Sequence, residues 1–231
     1  MESNCSGHTP CKTLDEYANN TEIFRGQVNM FFTSYGVYSL TTNLIIDEAE
    51  ALSMRPGGSL PRIAVVDNIL LLGGNIVLDS LKFFYIHALR ITGTAKYGIV
   101  TKNCLSVTVW EVHMQTSSFK YTQSISADSQ EATIIVQQST FTGSSEAVFQ
   151  LSDKRIKGNL NITIMNSEIS NNLQGGIAID TSLTLYIDIH QVDIVDNKVD
   201  SSGNGLAAAL SIKSITQSDT TVDLHQIGFF L

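Results

Sequence analysis

The stretch Ile162-Thr-Ile-Met-Asn-Ser-Glu-Ile169 has the same pattern as Ile187-Asp-Ile-His-Gln-Val-Asp-Ile194, which follows 25 residues later. In both stretches positions one, three and eight are apolar and position five is polar. The pattern occurs in four further places, at residues 76–83, 107–114, 134–141 and 222–229. A unit that returns six times along one chain indicates a solenoid, in which each coil packs its apolar side against the next coil.

Within each unit the apolar positions alternate as the inward side chains of a β-strand do, and they do not follow the steps of a helix. The eighth position returns after 25 to 35 residues. A propeller blade needs about 40 residues, and a leucine-rich repeat keeps a more constant length. The variable spacing around a fixed strand therefore predicts an all-β fold, a parallel β-helix with several short strands in each coil.

Two of the units lead into a second motif. Ile169-Ser-Asn-Asn172 precedes Gly175-Gly-Ile-Ala-Ile179, and Ile194-Val-Asp-Asn197 precedes Gly203-Asn-Gly-Leu-Ala207. Asn and Gly accept the left-handed backbone that a tight corner demands. In these motifs the chain resembles the right-handed parallel β-helix class with a pectin-lyase-like fold, and within it surface proteins with Asn then Gly-Gly-Ala-Ile repeats. The resemblance covers roughly residues 75–231, and it implies a right-handed helix but no particular activity.

The amino-terminal part of the chain has its own signals. Thr13-Leu-Asp-Glu16 is a capping box, which predicts a short helix. We expect that helix to cap the first coil, because an open coil end exposes unpaired backbone groups. Cys5 and Cys11 enclose a short polar loop suited to a disulfide. We therefore predict one continuous domain, with a cap and the first coils in residues 1–74 and the repeated coils in residues 75–231.

Composition narrows the classes of partner. The formal net charge of −8, from 14 basic and 22 acidic residues, disfavours a nucleic-acid partner. No apolar run approaches the roughly 18 residues of a membrane span, so no transmembrane segment is predicted. Residues 1–4 lack the apolar region of a signal peptide, and no capping segment follows the last unit. We expect a fragment of a longer chain, or alternatively a carboxyl end that a partner covers.

Three sequons, at Asn4, Asn19 and Asn161, would accept glycan in a secreted protein. Together with the Cys5–Cys11 pair, they predict a glycoprotein located outside the cell or at the cell surface. The third cysteine, Cys104, lies in a turn that enters a strand, and we expect a buried thiol there rather than a nucleophile.

The register of the coils predicts which charged side chains meet. Position seven brings Glu168 beside Asp193, and position two brings Asp188 beside Asp223, because stacked strands lie about 4.8 Å apart. Such paired carboxylates could share a proton, bind calcium, or act as acid and base in sugar chemistry. The alternative is that they are solvated surface groups that keep the solenoid soluble, and we assign no catalytic residue.

For the side chains at positions four and five of the repeat unit we predict no functional site. Position four aligns His190 with His225, but two imidazoles without a third ligand do not predict a metal site. Position five is polar in every unit, and we interpret it as a ladder of hydrogen-bonding side chains at a turn. Its members are Ser80, Glu111, Gln138, Asn166, Gln191 and Gln226.

Arg155-Ile-Lys157 matches a short basic motif of the polygalacturonases, which have a related fold. The rest of their signature (Asn-Thr-Asp, Asp-Asp and Gly-His-Gly) is missing from the chain. The tripeptide also sits in Ser152-Asp-Lys-Arg-Ile-Lys-Gly158, which reads as a charged loop. We interpret the match as chance.

The sequence therefore favours a non-enzymatic module that binds or adheres to glycans or proteins. One alternative is a polysaccharide lyase or glycoside hydrolase that uses the acidic pairs. Another alternative is a stiff spacer in a larger surface protein. No cofactor is predicted, and calcium is the only ion that the Glu168–Asp193 and Asp188–Asp223 pairs suggest. Because solenoid ends expose strand edges, end-to-end self-association is a further expectation.

Overall fold

The computed structural model describes residues 14–18, 26–32, 37–47, 49–57, 68–124, 131–155, 157–197, 210–214 and 220–230. Within these ranges one short helix, α1 (Leu14–Ala18), precedes twenty strands. The strands form three faces, and every strand pair is parallel, as a β-helix requires.

Each coil contributes one strand to each face. Face 1 contains β1 (Gly26–Phe32), β4 (Ala49–Pro56), β7 (Phe83–His87), β10 (Ser106–Trp110) and β13 (Glu131–Gln137). Face 2 contains β2 (Val37–Leu40), β5 (Asn68–Leu71), β8 (Arg90–Gly93), β11 (His113–Gln115) and β14 (Thr140–Thr142). Three longer strands turn the corner and belong to both of these faces: β16 (Asn159–Ser170), β18 (Thr184–Val195) and β20 (Thr220–Phe230).

Face 3 is a separate seven-stranded sheet. Its strands are β3 (Leu44–Ile46), β6 (Ile76–Asp79), β9 (Tyr97–Lys102), β12 (Ser118–Gln123), β15 (Phe149–Asp153), β17 (Ile177–Thr181) and β19 (Leu210–Ser214). The inward side chains of the three faces form one apolar core that runs along the solenoid. The predicted all-β parallel β-helix is confirmed.

The register confirms five of the six units. At position one, Val107 pairs with Ile134 of the next coil, and Ile134 pairs with Ile162 of the coil after that. The series continues through Ile187 to Val222. Position five is the corner between faces 1 and 2, where φ is positive. The values are 53° at Glu111, 50° at Gln138, 49° at Asn166, 54° at Gln191 and 53° at Gln226. The repeat is therefore a strand, a left-handed corner and a second short strand.

The unit at residues 76–83 does not belong to this series, and the prediction is wrong there. β6 lies in face 3, where it pairs with β3 and β9. The strand that pairs with Val107 instead contains Phe84, so the true unit is residues 84–91. Tyr85, Ala88 and Arg90 therefore take the places predicted for Val77, Ser80 and Lys82 at positions two, five and seven.

The recurring Asn of the second motif has a clear structural role. The Asn172 side chain is fully buried; its Oδ1 accepts from Ser144 N at 2.9 Å, and its Nδ2 donates to Asn197 Oδ1 at 2.7 Å. Asn197 Nδ2 in turn donates to Ile169 O at 2.8 Å. These two asparagines form a ladder inside the turn, which satisfies backbone groups that the corner removes from the sheets.

The predicted capping helix is confirmed as α1. Leu14 is buried in the core, and the Asp15 carboxylate accepts hydrogen bonds from the backbone N–H and hydroxyl groups of both Thr41 and Thr42. Burial raises the pKa of Asp15, but these four donors outweigh it and hold the pKa below its usual value. Thr13 of the capping box and the Cys5–Cys11 pair lie outside the described residues.

Candidate functional site

The acidic side chains lie in register as the repeat predicted. Glu168 pairs with Asp193 on face 2, and Asp188 pairs with Asp223 on face 1. All four point outward from open sheet surfaces, and Glu168, Asp193 and Asp223 are exposed. A catalytic role for them stays a prediction.

Local contacts already engage two of these carboxylates. Asp188 Oδ1 lies 3.1 Å from His190 Nδ1, and Glu168 Oε1 accepts from the Ser170 hydroxyl at 2.7 Å. Across the described part of the chain, no three His, Cys, Asp or Glu residues are grouped so that they could hold a metal ion. Calcium at these rows stays an untested prediction.

Position seven forms a charged row across face 2. It runs from Arg90 through His113 and Thr140 to Glu168. Burial lowers the pKa of the His113 imidazole, the charge of Arg90 lowers it further, and Glu168 opposes both effects. The folded protein therefore holds His113 neutral more firmly than the unfolded chain does.

This row gives a pH prediction. Because the folded pKa of His113 is below the unfolded value of about 6.5, the unfolded chain binds the proton more readily. The contribution of His113 to stability is therefore present above pH 6.5 or so, and it is lost as the pH falls towards the folded pKa. We expect His113→Gln to flatten the fall in stability between about pH 8 and about pH 5, measured by urea unfolding. An unchanged slope in the variant would contradict the assignment.

The Arg155-Ile-Lys157 motif is not a surface site. Arg155 is 1% exposed, and its guanidinium is enclosed within the solenoid, so the expectation of a charged loop is wrong at this residue. Its Nε donates to Asp153 Oδ1 at 3.0 Å, its Nη2 donates to Asp153 Oδ2 at 2.6 Å, and Nη2 also donates to Asn159 O at 3.1 Å. The pair is structural, because neither side chain reaches solvent.

A concavity lies on face 3, over β12, β15 and β17. It is an open groove of about 510 Å³. Its floor consists of outward side chains in two rows: Lys120, Gln150 and Ala178 in one, and Thr122, Ser152 and Asp180 in the other. Ser152 on β15 and Ala178 on β17 are the smallest side chains of this floor.

The connections that precede β15 and β17 form one wall of the groove, through Glu146 and Gln174. Glu146 binds Lys96 at 2.8 Å and accepts from Gln150 Nε2 at 3.4 Å. These contacts hold the Glu146 carboxylate at the rim. Hydrogen bonding to Glu146, together with its charge, raises the pKa of the Lys96 ammonium.

The opposite end of the groove is fixed by a second ion pair, between Lys154 Nζ and Asp180 Oδ2 at 2.6 Å. The other carboxylate oxygen, Asp180 Oδ1, is buried and accepts no hydrogen bond from the described residues. Lys120 Nζ lies 4.8 Å from the centre of the Tyr97 ring, and the Tyr97 hydroxyl donates to Gln150 Oε1 at 3.3 Å. The groove therefore combines amides, hydroxyls, carboxylates and an ammonium around a small floor.

The groove was not predicted from the sequence. Its residues come from three coils and from two irregular connections, whose lengths set which side chains reach the rim. The outward row of Lys120, Gln150 and Ala178 was visible as alternation in the strands between the units. The only local signal was the change from long to small side chains along that row.

Two other expectations concern single residues. Cys104 is fully buried, as predicted, and burial raises the pKa of its thiol to about 11, which makes it a poor nucleophile. Asn161 lies on β16, where its Nδ2 donates to Glu131 Oε1 at 2.6 Å. Glycosylation at Asn161 stays a prediction, and Asn4 and Asn19 lie outside the described residues.

Comparisons with protein-family models, with curated proteins and with solved structures give no match. The fold defines the class of protein, a parallel β-helix, while the pectin-lyase-like type rests on the repeat motif alone. None of the described helices is long and apolar enough to cross a membrane.

Proposed function

We propose that this chain is a non-enzymatic module that binds saccharides in the groove of face 3. The observation that carries the proposal is an open groove of about 510 Å³, whose mostly apolar surface is bordered by side-chain amides, hydroxyls and carboxylates that can hydrogen-bond to hydroxyls. This volume falls in the usual range of small-ligand sites, about 300–1,000 Å³. A short saccharide segment offers donors and acceptors in all directions, which matches amides, hydroxyls and carboxylates that surround one space.

The rigidity of the site supports binding. Each groove carboxylate is held by a lysine, and Gln150 is held between Glu146 and Tyr97. Polar groups that are already oriented lose little conformational entropy when a ligand arrives. The sequons and the Cys5–Cys11 pair support placing the module outside the cell or at its surface, where glycans are available as ligands.

A lyase or hydrolase is the competing function. A catalytic acid for sugars needs an apolar or like-charged environment that favours its protonated form. Glu146 and Asp180 instead lie 2.8 Å and 2.6 Å from lysine ammonium groups, and the Glu168–Asp193 and Asp188–Asp223 pairs lie on open sheets outside the groove. These contacts favour binding over turnover.

The test is binding of the purified chain to a panel of plant, algal and animal oligosaccharides, followed by calorimetry on the best ligand. Ala178→Trp places an indole in the floor of the groove, so we expect it to weaken binding at least 100-fold. Asp180→Asn keeps the shape but removes a charged acceptor, so we expect a loss of about tenfold.

Gln115→Trp is the matched control, because Gln115 is exposed on face 2 and should leave affinity unchanged. Thermal melts should show that all three variants fold. Binding that survives Ala178→Trp would place the ligand elsewhere, and new chain ends released from any polymer would establish an enzyme instead.

A further inference from the structure

The outward side of face 1 carries three rows of side chains that cross the coils, one at the residue before position one and two within the units. Positions two and four of each unit point outward there, since positions one and three fill the core. The position-two row is Tyr85, Thr108, Ile135, Thr163, Asp188 and Asp223, and the position-four row is His87, Trp110, Gln137, Met165, His190 and His225.

The centre of these rows has no charged side chain. On β10, β13 and β16 the six residues at positions two and four are Thr108, Trp110, Ile135, Gln137, Thr163 and Met165, while the exposed Glu131 lies outside these rows at the start of β13. Trp110 stacks on His87 with ring centres 4.5 Å apart, and its Nε1 donates to Gln138 at 2.7 Å. A fixed tryptophan beside Ile and Met, with charge excluded from the centre, is the composition of an interface core.

The two ends of the same face carry opposite charge. Arg55 on β4 is exposed, and its guanidinium lies 5.0 Å from the centre of the Phe31 ring. At the other end, β18 and β20 present Asp188 and Asp223. Along positions two and four the face is therefore cationic and aromatic at one end, uncharged in the middle and acidic at the other end.

Such a surface is complementary to itself. A two-fold axis parallel to the strands, placed between β10 and β13, reverses the order of the coils in a second copy. β10 then lies opposite β13, β7 opposite β16, and β4 opposite β18. Arg55 of each copy meets the Asp188–His190 pair of the other copy, and the uncharged centres meet each other, as an isologous interface requires.

The size of the face limits the strength of this contact. Eight strands spaced by about 4.8 Å span about 34 Å, and five residues of strand span about 16 Å. The contact would bury about 1,000 Å² in total, which is at the low end for specific complexes. Affinity in the micromolar range is the corresponding expectation.

We propose that face 1 is the interface of a weak homodimer, in which two copies pack with their coils in opposite order. This partner differs from the ligand of face 3, and it also differs from end-to-end stacking, which would leave face 1 uncovered.

The test is sedimentation equilibrium of the unglycosylated chain at about pH 8 and moderate ionic strength. The unglycosylated form is used because a glycan on Asn161 would stand on this face. We expect a monomer–dimer equilibrium with a micromolar Kd. Arg55→Asp and Asp188→Arg should each weaken the dimer at least tenfold, since each places like charges together twice.

Mixing the two variants gives the decisive result. In the mixed dimer both contacts join an arginine to an aspartate, so the mixture should regain the native Kd within about threefold. Lys102→Asp, an exposed charge reversal on face 3, is the control and should leave the Kd unchanged. A chain that stays monomeric to several hundred micromolar, a dimer insensitive to Arg55→Asp, or a mixture that fails to recover would each overturn the proposal.

Discussion

Replacing Arg155 with leucine is expected to lower the free energy of unfolding by about 3–5 kcal/mol. The change removes the guanidinium from Asp153, whose side chain is completely buried. An uncompensated carboxylate in the core then has to be desolvated or protonated for the chain to fold. The measurement is urea unfolding at neutral pH, followed by circular dichroism and fluorescence.

The neighbouring coil supplies the control for this prediction. There Thr181 pairs with Asp153, and Leu183 N donates to Thr181 Oγ1 at 3.1 Å as Arg155 N donates to Asp153 Oδ1 at 3.1 Å. The double variant Asp153→Thr, Arg155→Leu copies that uncharged arrangement. We expect it to recover most of the lost stability, because removing both charges leaves no buried ion. A double variant as unstable as Arg155→Leu would show that the cost lies in packing instead.

Asn172→Ala is expected to destabilise the fold by about 3 kcal/mol. The change leaves the Ser144 N–H without its acceptor, and it removes a partner from both Phe141 O and Asn197 Oδ1, all close to the core. Each buried polar group that loses its partner costs about 1–3 kcal/mol. The midpoint of thermal unfolding should fall by several degrees or more, since about 1 kcal/mol shifts it by 2–4 °C at this size.

Asn159→Ala is the control variant for Asn172, because Asn159 is exposed at the start of β16, the strand that ends two residues before Asn172. We expect a change within about 0.5 kcal/mol, as for most surface substitutions. Equal losses in the two variants would mean that the hydrogen bonds of the buried Asn172 contribute no more than those of an exposed asparagine.

The repeat predicted the coils but could not tell one corner of a coil from another. The wrongly assigned unit at residues 76–83 contains a strand followed by Ser80 at φ 60°, which imitates the true corner at Ala88 with φ 51°. The corner between faces 3 and 1 and the corner between faces 1 and 2 each consist of a strand followed by one left-handed residue, so the local pattern is the same. Only the pairing of Phe84 with Val107 distinguishes them.

For the charged side chains, too, the sequence predicted some of the arrangement and missed the rest. The sequence placed Glu168 beside Asp193, because register in a solenoid follows directly from the repeat. The sequence also predicted a charged loop around Arg155, because charged side chains are rarely buried, and the nearby Asp153 looks the same in the sequence whether the pair is exposed or buried.

The sequence by itself determined the parallel β-helix, its apolar interior and the alignment of neighbouring coils from residue 107 onwards. These properties repeat from coil to coil, and a repeat can be recognised from the amino-acid sequence alone. Only the tertiary structure decided that Asp153 and Arg155 lie inside, that Glu146 and Asp180 frame a groove, and that positions two and four are uncharged at the centre of face 1. Those features depend on how side chains from different coils fill a common space, and that space exists only after the coils have stacked.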